Sequence, residues 1–145
     1  MKPFLPFLPL LVLAGLLAGC STSRAFITDA KTIGPYSPAV KVGNLLYVSG
    51  QIAMKPGTTE LAGDDIETQV RQALENLKAI LTKAGYEMTD VVQCTVYLKD
   101  MNNFAKMNKI YSSFFEQGRF PTRTAVEVSN LPAKAIFEIT AVACK

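Results

Sequence analysis

The spacing of apolar residues along this chain alternates between the short period of strands and the longer period of helices. A first helix is predicted to begin at Asp64, where Glu67 completes a capping box, and to end at Gly85. Its apolar face consists of Ile66, Val70, Leu74, Leu77 and Leu81. A second helix is predicted to begin at Asp100 and to end at Gly118. Its apolar face consists of Phe104, Met107, Ile110, Tyr111, Phe114 and Phe115.

Strand-like runs surround the two helices. They lie near 26–29 and at 45–51, 91–98, 122–128 and 136–143. The resulting order, β-β-α-β-α-β-β, predicts an α+β fold in which both helices pack on one face of a single mixed sheet. Apolar side chains also fall on the other face of that sheet, and oligomerisation is the simplest way to cover them.

The first 19 residues are predicted to be a bacterial lipoprotein signal. Lys2 precedes an apolar run at 4–17, and the sequence Leu-Ala-Gly-Cys at 17–20 has the pattern of a cleavage site. Cys20 would then be acylated and become the mature N-terminus. The alternative is that the segment stays uncleaved as an anchor helix.

The rest of the chain is predicted to be one tethered domain. Residues 20–26 are the lipidated N-terminus and tether, and residues 27–145 are the domain. Without the 19-residue signal, 126 of the 145 residues remain, which is enough to bury a single core. Ser21 after the lipidated cysteine favours the outer membrane, which predicts a periplasm-facing lipoprotein of the cell envelope.

The composition excludes several kinds of chemistry. The chain has no histidine, which rules out histidine-assisted nucleophiles and histidine-containing zinc sites. Cys94 and Cys144 are too few for a four-thiolate site, and they are predicted to be buried free thiols, with a disulfide between them left open. The 15 lysines and arginines are scattered, so no nucleic-acid partner is predicted. Several glycines are spaced as turn residues and not as a phosphate-binding loop: Gly34, Gly43, Gly50 and Gly57.

Arg123 and Glu138 are charged residues that lie inside predicted strands. Arg123 is costly there unless it meets an anion, and its guanidinium can grip a carboxylate with two hydrogen bonds. Its partner is therefore either a substrate carboxylate or a structural acid such as Glu127 on the same strand face. Glu138 is either half of an ion pair or an acid/base group whose pKa is raised by burial.

Four segments together carry a family resemblance. They are Ile-Gly-Pro-Tyr-Ser at 33–37, Val-Ser-Gly-Gln at 48–51, Thr-Val-Tyr-Leu-Lys-Asp-Met at 95–101, and Pro-Thr-Arg at 121–123 leading to Glu127. With this spacing the chain resembles the reactive intermediate deaminase (Rid, or YjgF) family. The resemblance implies a chorismate-mutase-like fold assembled as a homotrimer, with active sites in the clefts between subunits. It also implies hydrolysis of 2-imino or enamino acids to 2-oxo acids and ammonia, without cofactor or metal.

The resemblance also implies roles for five side chains. Arg123 would hold the substrate carboxylate, while Glu138 would position or deprotonate the attacking water and protonate the departing ammonia. Tyr36, Ser49 and Asn108 would line the substrate pocket. Simpler roles stay open for these three, namely a packed aromatic ring, a turn hydroxyl and a hydrogen bond between helices or subunits.

Two positions depart from the family pattern. Ala125 stands where many members have a cysteine, and Pro38 stands where a glutamine is common. Imine hydrolysis needs water and proton transfer rather than a thiol, so the reaction is expected to survive with altered substrate preference. The imine source would be a periplasmic amino-acid oxidase or dehydrogenase. The alternative function is a non-enzymatic trimer that binds a small carboxylate or a protein partner.

Overall fold

Six strands and two α-helices make up the described part of the chain, which is residues 23–28 and 32–145 of this computed structural model. In chain order they are β1 Arg24–Ile27, β2 Ala39–Val42, β3 Leu45–Ile52, α1 Ile66–Lys83, β4 Val91–Leu98, α2 Phe104–Ser112, β5 Thr122–Glu127 and β6 Phe137–Cys144. The predicted order lacks β2 and is wrong by that one strand. β2 has only four residues, and Lys41 points to the core side of the sheet, which obscures the alternation.

The strands form one mixed sheet in the order β1-β2-β3-β6-β4-β5. Neighbouring strands are antiparallel except β4 and β5, which are parallel because α2 carries the chain back between them. α1 packs on β3, on β6 and against α2, so both helices cover the same face of the sheet. The predicted mixed sheet with its helices on one face is confirmed.

Helix α1 buries the apolar face that the sequence predicts. All five predicted residues are buried against the sheet: Ile66, Val70, Leu74, Leu77 and Leu81. The predicted cap at Asp64 is wrong by one residue, because the Asp65 carboxylate accepts the Thr68 amide at 2.8 Å and thereby fixes the first turn. Gly85, with φ of +79°, ends the helix as predicted.

The predicted cap at Asp100 is confirmed, but helix α2 itself begins later than predicted, at Phe104, and ends earlier. Asp100 caps the short 3-10 turn Met101–Asn103, which leads directly into α2. The helix ends at Ser112 and not at Gly118. The hydroxyls of Ser112 and Ser113 donate to the carbonyls of Lys109 and Ile110, so the last turn is bound locally instead of continuing.

The face of the sheet opposite the helices, called here the open face, carries exposed apolar side chains. Strand alternation and pairing place Phe26, Tyr47 and Val126 on it, with relative exposures of 58%, 48% and 39%. Glu138 lies on the same face, paired with Tyr97 of β4. The apolar second face is therefore present as predicted, and the trimer expected to cover it stays a prediction.

The two strand cysteines differ in burial. Cys94 is buried on the helix side of the sheet, whereas Cys144 is exposed, and both are free thiols. The prediction of burial is wrong for Cys144 because β6 sends its even-numbered residues to the open face.

The predicted signal at 1–19 and the lipidation site at Cys20 lie outside the described residues. Within the part of the chain that the structure describes, no helix is both long enough and apolar enough to cross a membrane.

Candidate active site

Arg123 lies on β5 at the edge of the sheet and points towards α2. It pairs with buried Cys94 on β4, which places its side chain on the helix side. Its Nη2 donates a hydrogen bond to Asn108 Oδ1 at 2.7 Å, and its Nη1 lies 3.8 Å from Met107 Sδ. The guanidinium carbon lies 4.4 Å from the centre of the Tyr111 ring. The charge is therefore held against one helix by uncharged groups.

No carboxylate among the described residues forms an ion pair with Arg123. Glu127, the structural partner that the sequence left open, instead accepts the Met101 amide at 2.7 Å and fixes the turn before α2. A guanidinium has five N–H donors, and two of them are used here. Within one protomer, Arg123 is thus a partly buried cation with donors left for an anion.

Cys94 and Tyr111 lie beneath Arg123 in the core. Burial raises the pKa of the Cys94 thiol to about 11 and also raises the pKa of the Tyr111 hydroxyl. Both groups are therefore neutral at neutral pH and do not compensate the charge of Arg123. The Tyr111 hydroxyl lies beside the Cys94 thiol and has no hydrogen-bond partner of normal geometry.

Glu138 lies half-buried on the open face, between Tyr97 of β4 and the end of β3. Burial raises its pKa above the ordinary value of 4.5. Gly50 lies against this carboxylate: a methyl group on Gly50 would be 2.8 Å from Glu138 Cδ and closer still to Oε1. The glycine spacing suggests a turn residue at Gly50, which is wrong, whereas the predicted strand at 45–51 includes it correctly: Gly50 lies within β3 and makes room for the acid.

Tyr36 and Ser49 lie on the segment beside β3. The Ser49 hydroxyl donates to the Ser37 carbonyl at 2.7 Å, so its proton ties the preceding loop to the strand. Tyr36 is 45% exposed and lines a cavity of about 510 Å³ together with Pro38, Gly50 and residues of α1. Pro38 also continues the β-ladder, because its carbonyl accepts the Ser49 amide at 2.9 Å.

The predicted site residues form two groups on opposite faces of the sheet. Arg123 and Asn108 are together on the helix side, whereas Glu138 is on the open face with Ser49 nearby on β3. One protomer does not bring Arg123 and Glu138 together. The sequence missed Tyr111 as a contact of Arg123, because at helical spacing it reads only as a core residue.

Comparison with known proteins agrees with this architecture. A family model described as endoribonuclease L-PSP matches residues 26–145. The chain belongs to the L-PSP (YjgF/Rid/RutC) family. RutC family protein PH0854 of Pyrococcus horikoshii is 55% identical over 115 residues, which are 79% of this chain and 90% of that protein.

Solved structures of family members share the fold. The Rid-family protein YyfA of Yersinia pestis is 39% identical, with a TM-score of 0.81 over 85% of this chain and 100% of that one. TdcF of E. coli, solved with bound serine, is 40% identical, with a TM-score of 0.75 over 80% of this chain and 92% of that one. The predicted chorismate-mutase-like fold of the YjgF family is confirmed.

Proposed function

We propose that this protein hydrolyses reactive 2-imino or enamino acids to 2-oxo acids and ammonia. The observation that carries the proposal is Arg123, a partly buried guanidinium that makes no ion pair within the described residues and is held by neutral neighbours. A planar carboxylate fits its free donors with two parallel hydrogen bonds. The serine bound by TdcF carries such a carboxylate beside an α-nitrogen, as a 2-imino acid does.

The reaction needs a water molecule and a proton carrier. Water adds to the C=N carbon while Glu138 takes a proton from it, and Glu138 then returns that proton to the nitrogen. As the C–N bond of the tetrahedral aminol breaks, Glu138 relays the proton of the aminol hydroxyl to the departing nitrogen, which releases ammonia and the 2-oxo acid. Burial raises the pKa of Glu138, which makes it a better base than an exposed carboxylate and a usable acid afterwards. Imines already hydrolyse in water, so a small site supplies enough rate enhancement.

The complete site is proposed to lie between copies of the chain in a homotrimer. Arg123 and Glu138 lie on opposite faces of one sheet, so a single substrate can reach both only if a neighbouring copy supplies one of them. The open face supports this arrangement, because it combines exposed Phe26, Tyr47 and Val126 with Glu138. A neighbour packed there would bury apolar area and exclude water from the carboxylate.

The deaminase proposal is tested by direct turnover. An amino-acid oxidase generates 2-iminobutanoate or 2-iminopropanoate in situ, and the formation of 2-oxo acid is followed with and without the purified protein. Arg123→Ala should lose the acceleration. Arg119→Ala is the matched control, because the Arg119 side chain is exposed and, among the described residues, forms an ion pair with Glu116 alone, at 3.5 Å. If the wild-type protein gives no acceleration over buffer, the proposal fails.

A second candidate is a trimer that binds small carboxylates without catalysis. The same Arg123 geometry supports it, since a carboxylate grip does not require proton transfer. Binding of 2-oxobutanoate without any acceleration of imine hydrolysis would favour it. An endoribonuclease, as in the family description, is a weaker candidate because the chain has no histidine and its positive charges are scattered.

The N-terminal segment is proposed to anchor the protein at the periplasmic side of the outer membrane. The Leu-Ala-Gly-Cys sequence at 17–20 supports lipidation of Cys20, and the family match begins after it, at residue 26. Labelling cells with a radioactive fatty acid should mark the wild-type protein and not Cys20→Ser. An unlabelled wild-type protein would contradict lipidation.

A further inference from the structure

One stripe of helix α2 supplies the contacts of the Arg123 guanidinium. The four side chains are at positions i, i+3, i+4 and i+7 of the helix: Phe104, Met107, Asn108 and Tyr111. All four are uncharged. They are called the neutral cradle below.

Tyr111 fixes the plane of the guanidinium. Its ring is only 4% exposed and lies 4.4 Å from the guanidinium carbon, a normal distance for a cation over an aromatic face. Phe115 packs against the same ring with a centroid distance of 4.7 Å, which limits its rotation. Phe104 lies at 5.6 Å and is partly exposed. The Tyr111 hydroxyl makes no bond to Arg123, so the ring face is the part that acts.

Asn108 fixes the rotation of the guanidinium within that plane. Its Oδ1 accepts from Nη2 at 2.7 Å, which holds one edge of the fork towards the helix. The side-chain oxygen must be the acceptor because a guanidinium only donates. An amide oxygen orients the fork without cancelling its charge, whereas an aspartate of the same shape would form an ion pair with it.

We propose that Tyr111 and Asn108 are positioning residues that hold Arg123 as an oriented, uncompensated cation for the substrate carboxylate. The inference rests on the proposed function. It assigns to α2 the role of orienting the guanidinium, so that the remaining donors face the approaching carboxylate. Neutrality of the cradle is the essential property. An internal carboxylate would compete with the substrate, and a missing ring would let the guanidinium leave its plane.

The decisive variant is Asn108→Asp, which changes charge with almost no change in shape. Hydrogen bonds between charged groups contribute enough that competition by the new carboxylate should raise KM by about tenfold or more. The value of kcat at saturating substrate should stay within about threefold, because the chemistry at Glu138 is untouched. A purely structural role of Asn108 would not produce this split between KM and kcat.

Tyr111 is tested with a pair of variants. Tyr111→Phe keeps the ring and removes only the unpaired hydroxyl, so activity should stay within about twofold of the wild type. Tyr111→Leu removes the aromatic face, and kcat/KM should fall at least about tenfold, as expected when a gripping group loses its orientation. Thermal unfolding and sizing of each variant show whether the fold is kept. If Tyr111→Leu does not fold, the results for Asn108→Asp and Tyr111→Phe still test the neutral cradle.

Binding of 2-oxobutanoate, measured by calorimetry on the full-length protein, separates this inference from the deaminase proposal. Weakened binding in Asn108→Asp and in Arg123→Ala, with normal binding in Tyr111→Phe, supports the neutral cradle even if no imine is hydrolysed. Binding by Asn108→Asp as tight as by the wild type overturns it, and so does a wild-type protein that binds no 2-oxobutanoate. Loss of activity in Tyr111→Phe would also overturn it, because the hydroxyl would then have a role.

Discussion

Replacing Gly50 by alanine should disable Glu138, the proposed acid/base group, without unfolding the protein. The backbone of Gly50 is outside the left-handed region, so alanine can adopt its conformation without strain. Space is the obstacle, because the new methyl carbon would lie 2.8 Å from Glu138 Cδ and closer to Oε1. The carboxylate must therefore move away.

The size of the effect follows from that distance. Carbon atoms in contact are normally about 3.5–4.0 Å apart, so the carboxyl carbon must move by about 1 Å. A misplacement of about 1 Å in a catalytic group can lower the rate by about 100-fold. The cost in stability should be smaller. Overpacking costs about 1–3 kcal/mol, but half-buried Glu138 can swing outwards, and alanine recovers about 0.4–1 kcal/mol by restricting the unfolded chain.

A double-mutant cycle is the assay for this reasoning. The value of kcat/KM is measured for Gly50→Ala, Glu138→Ala and the double variant, with urea unfolding of each as the measure of stability. Gly50→Ala should have no further effect when Glu138 is already alanine. Gly63→Ala is the control, because the atoms nearest to its methyl group would belong to Thr68 and Asp65 and not to Glu138. Equal losses in both backgrounds, or kcat/KM of Gly50→Ala within threefold of the wild type, would refute the argument.

Two further changes test the electrostatics and the capping of the fold. Burial raises the pKa of Glu138 because the folded protein favours the neutral carboxyl group. The free energy of unfolding is therefore unaffected by the ionisation of this group below its unfolded pKa, and it decreases as pH rises through the folded pKa and the buried carboxyl becomes charged. Glu138→Gln should therefore raise the melting temperature relative to wild type at pH 8 and not at pH 4; a difference that does not change with pH would contradict this. Asp65→Ala should lower the urea midpoint by removing the acceptor for the Thr68 amide, whereas Asp64→Ala should leave it nearly unchanged. Equal effects of the two aspartate variants would contradict the cap assignment.

Residues whose burial follows from local periodicity were predictable from the sequence. The apolar face of α1 is an example, since Leu74 and Leu77 are buried because helical spacing directs them to one side. β2 was missed because Lys41 breaks its alternation by lying over the Tyr86 ring, 5.3 Å from its centre. The pairing of β2 with β3, which the local residue pattern does not reveal, is what defines this strand. The choice between Asp64 and Asp65 as the cap likewise depends on backbone angles that two adjacent aspartates do not reveal.

The charged residues of the candidate site were predictable from the sequence, whereas the neutral residues that contact them were not. Arg123 and Glu138 stand out because a charged side chain in an apolar strand requires an explanation. Tyr111 does not stand out, since an aromatic residue at helical spacing looks like ordinary core. The role of Gly50 depends on the register between β3 and β6, including the bulge between Val48 and Gln51, which no local pattern encodes.

The separation of Arg123 and Glu138 on opposite faces of the sheet has a genetic consequence. If neighbouring copies share each site, a subunit that lacks the arginine and a subunit that lacks the glutamate can repair one another. In random mixed rings of Arg123→Ala and Glu138→Ala subunits, about a quarter of the interfaces would join an intact arginine to an intact glutamate. Two inactive alleles expressed together would then complement, although neither subunit carries a complete set of side chains.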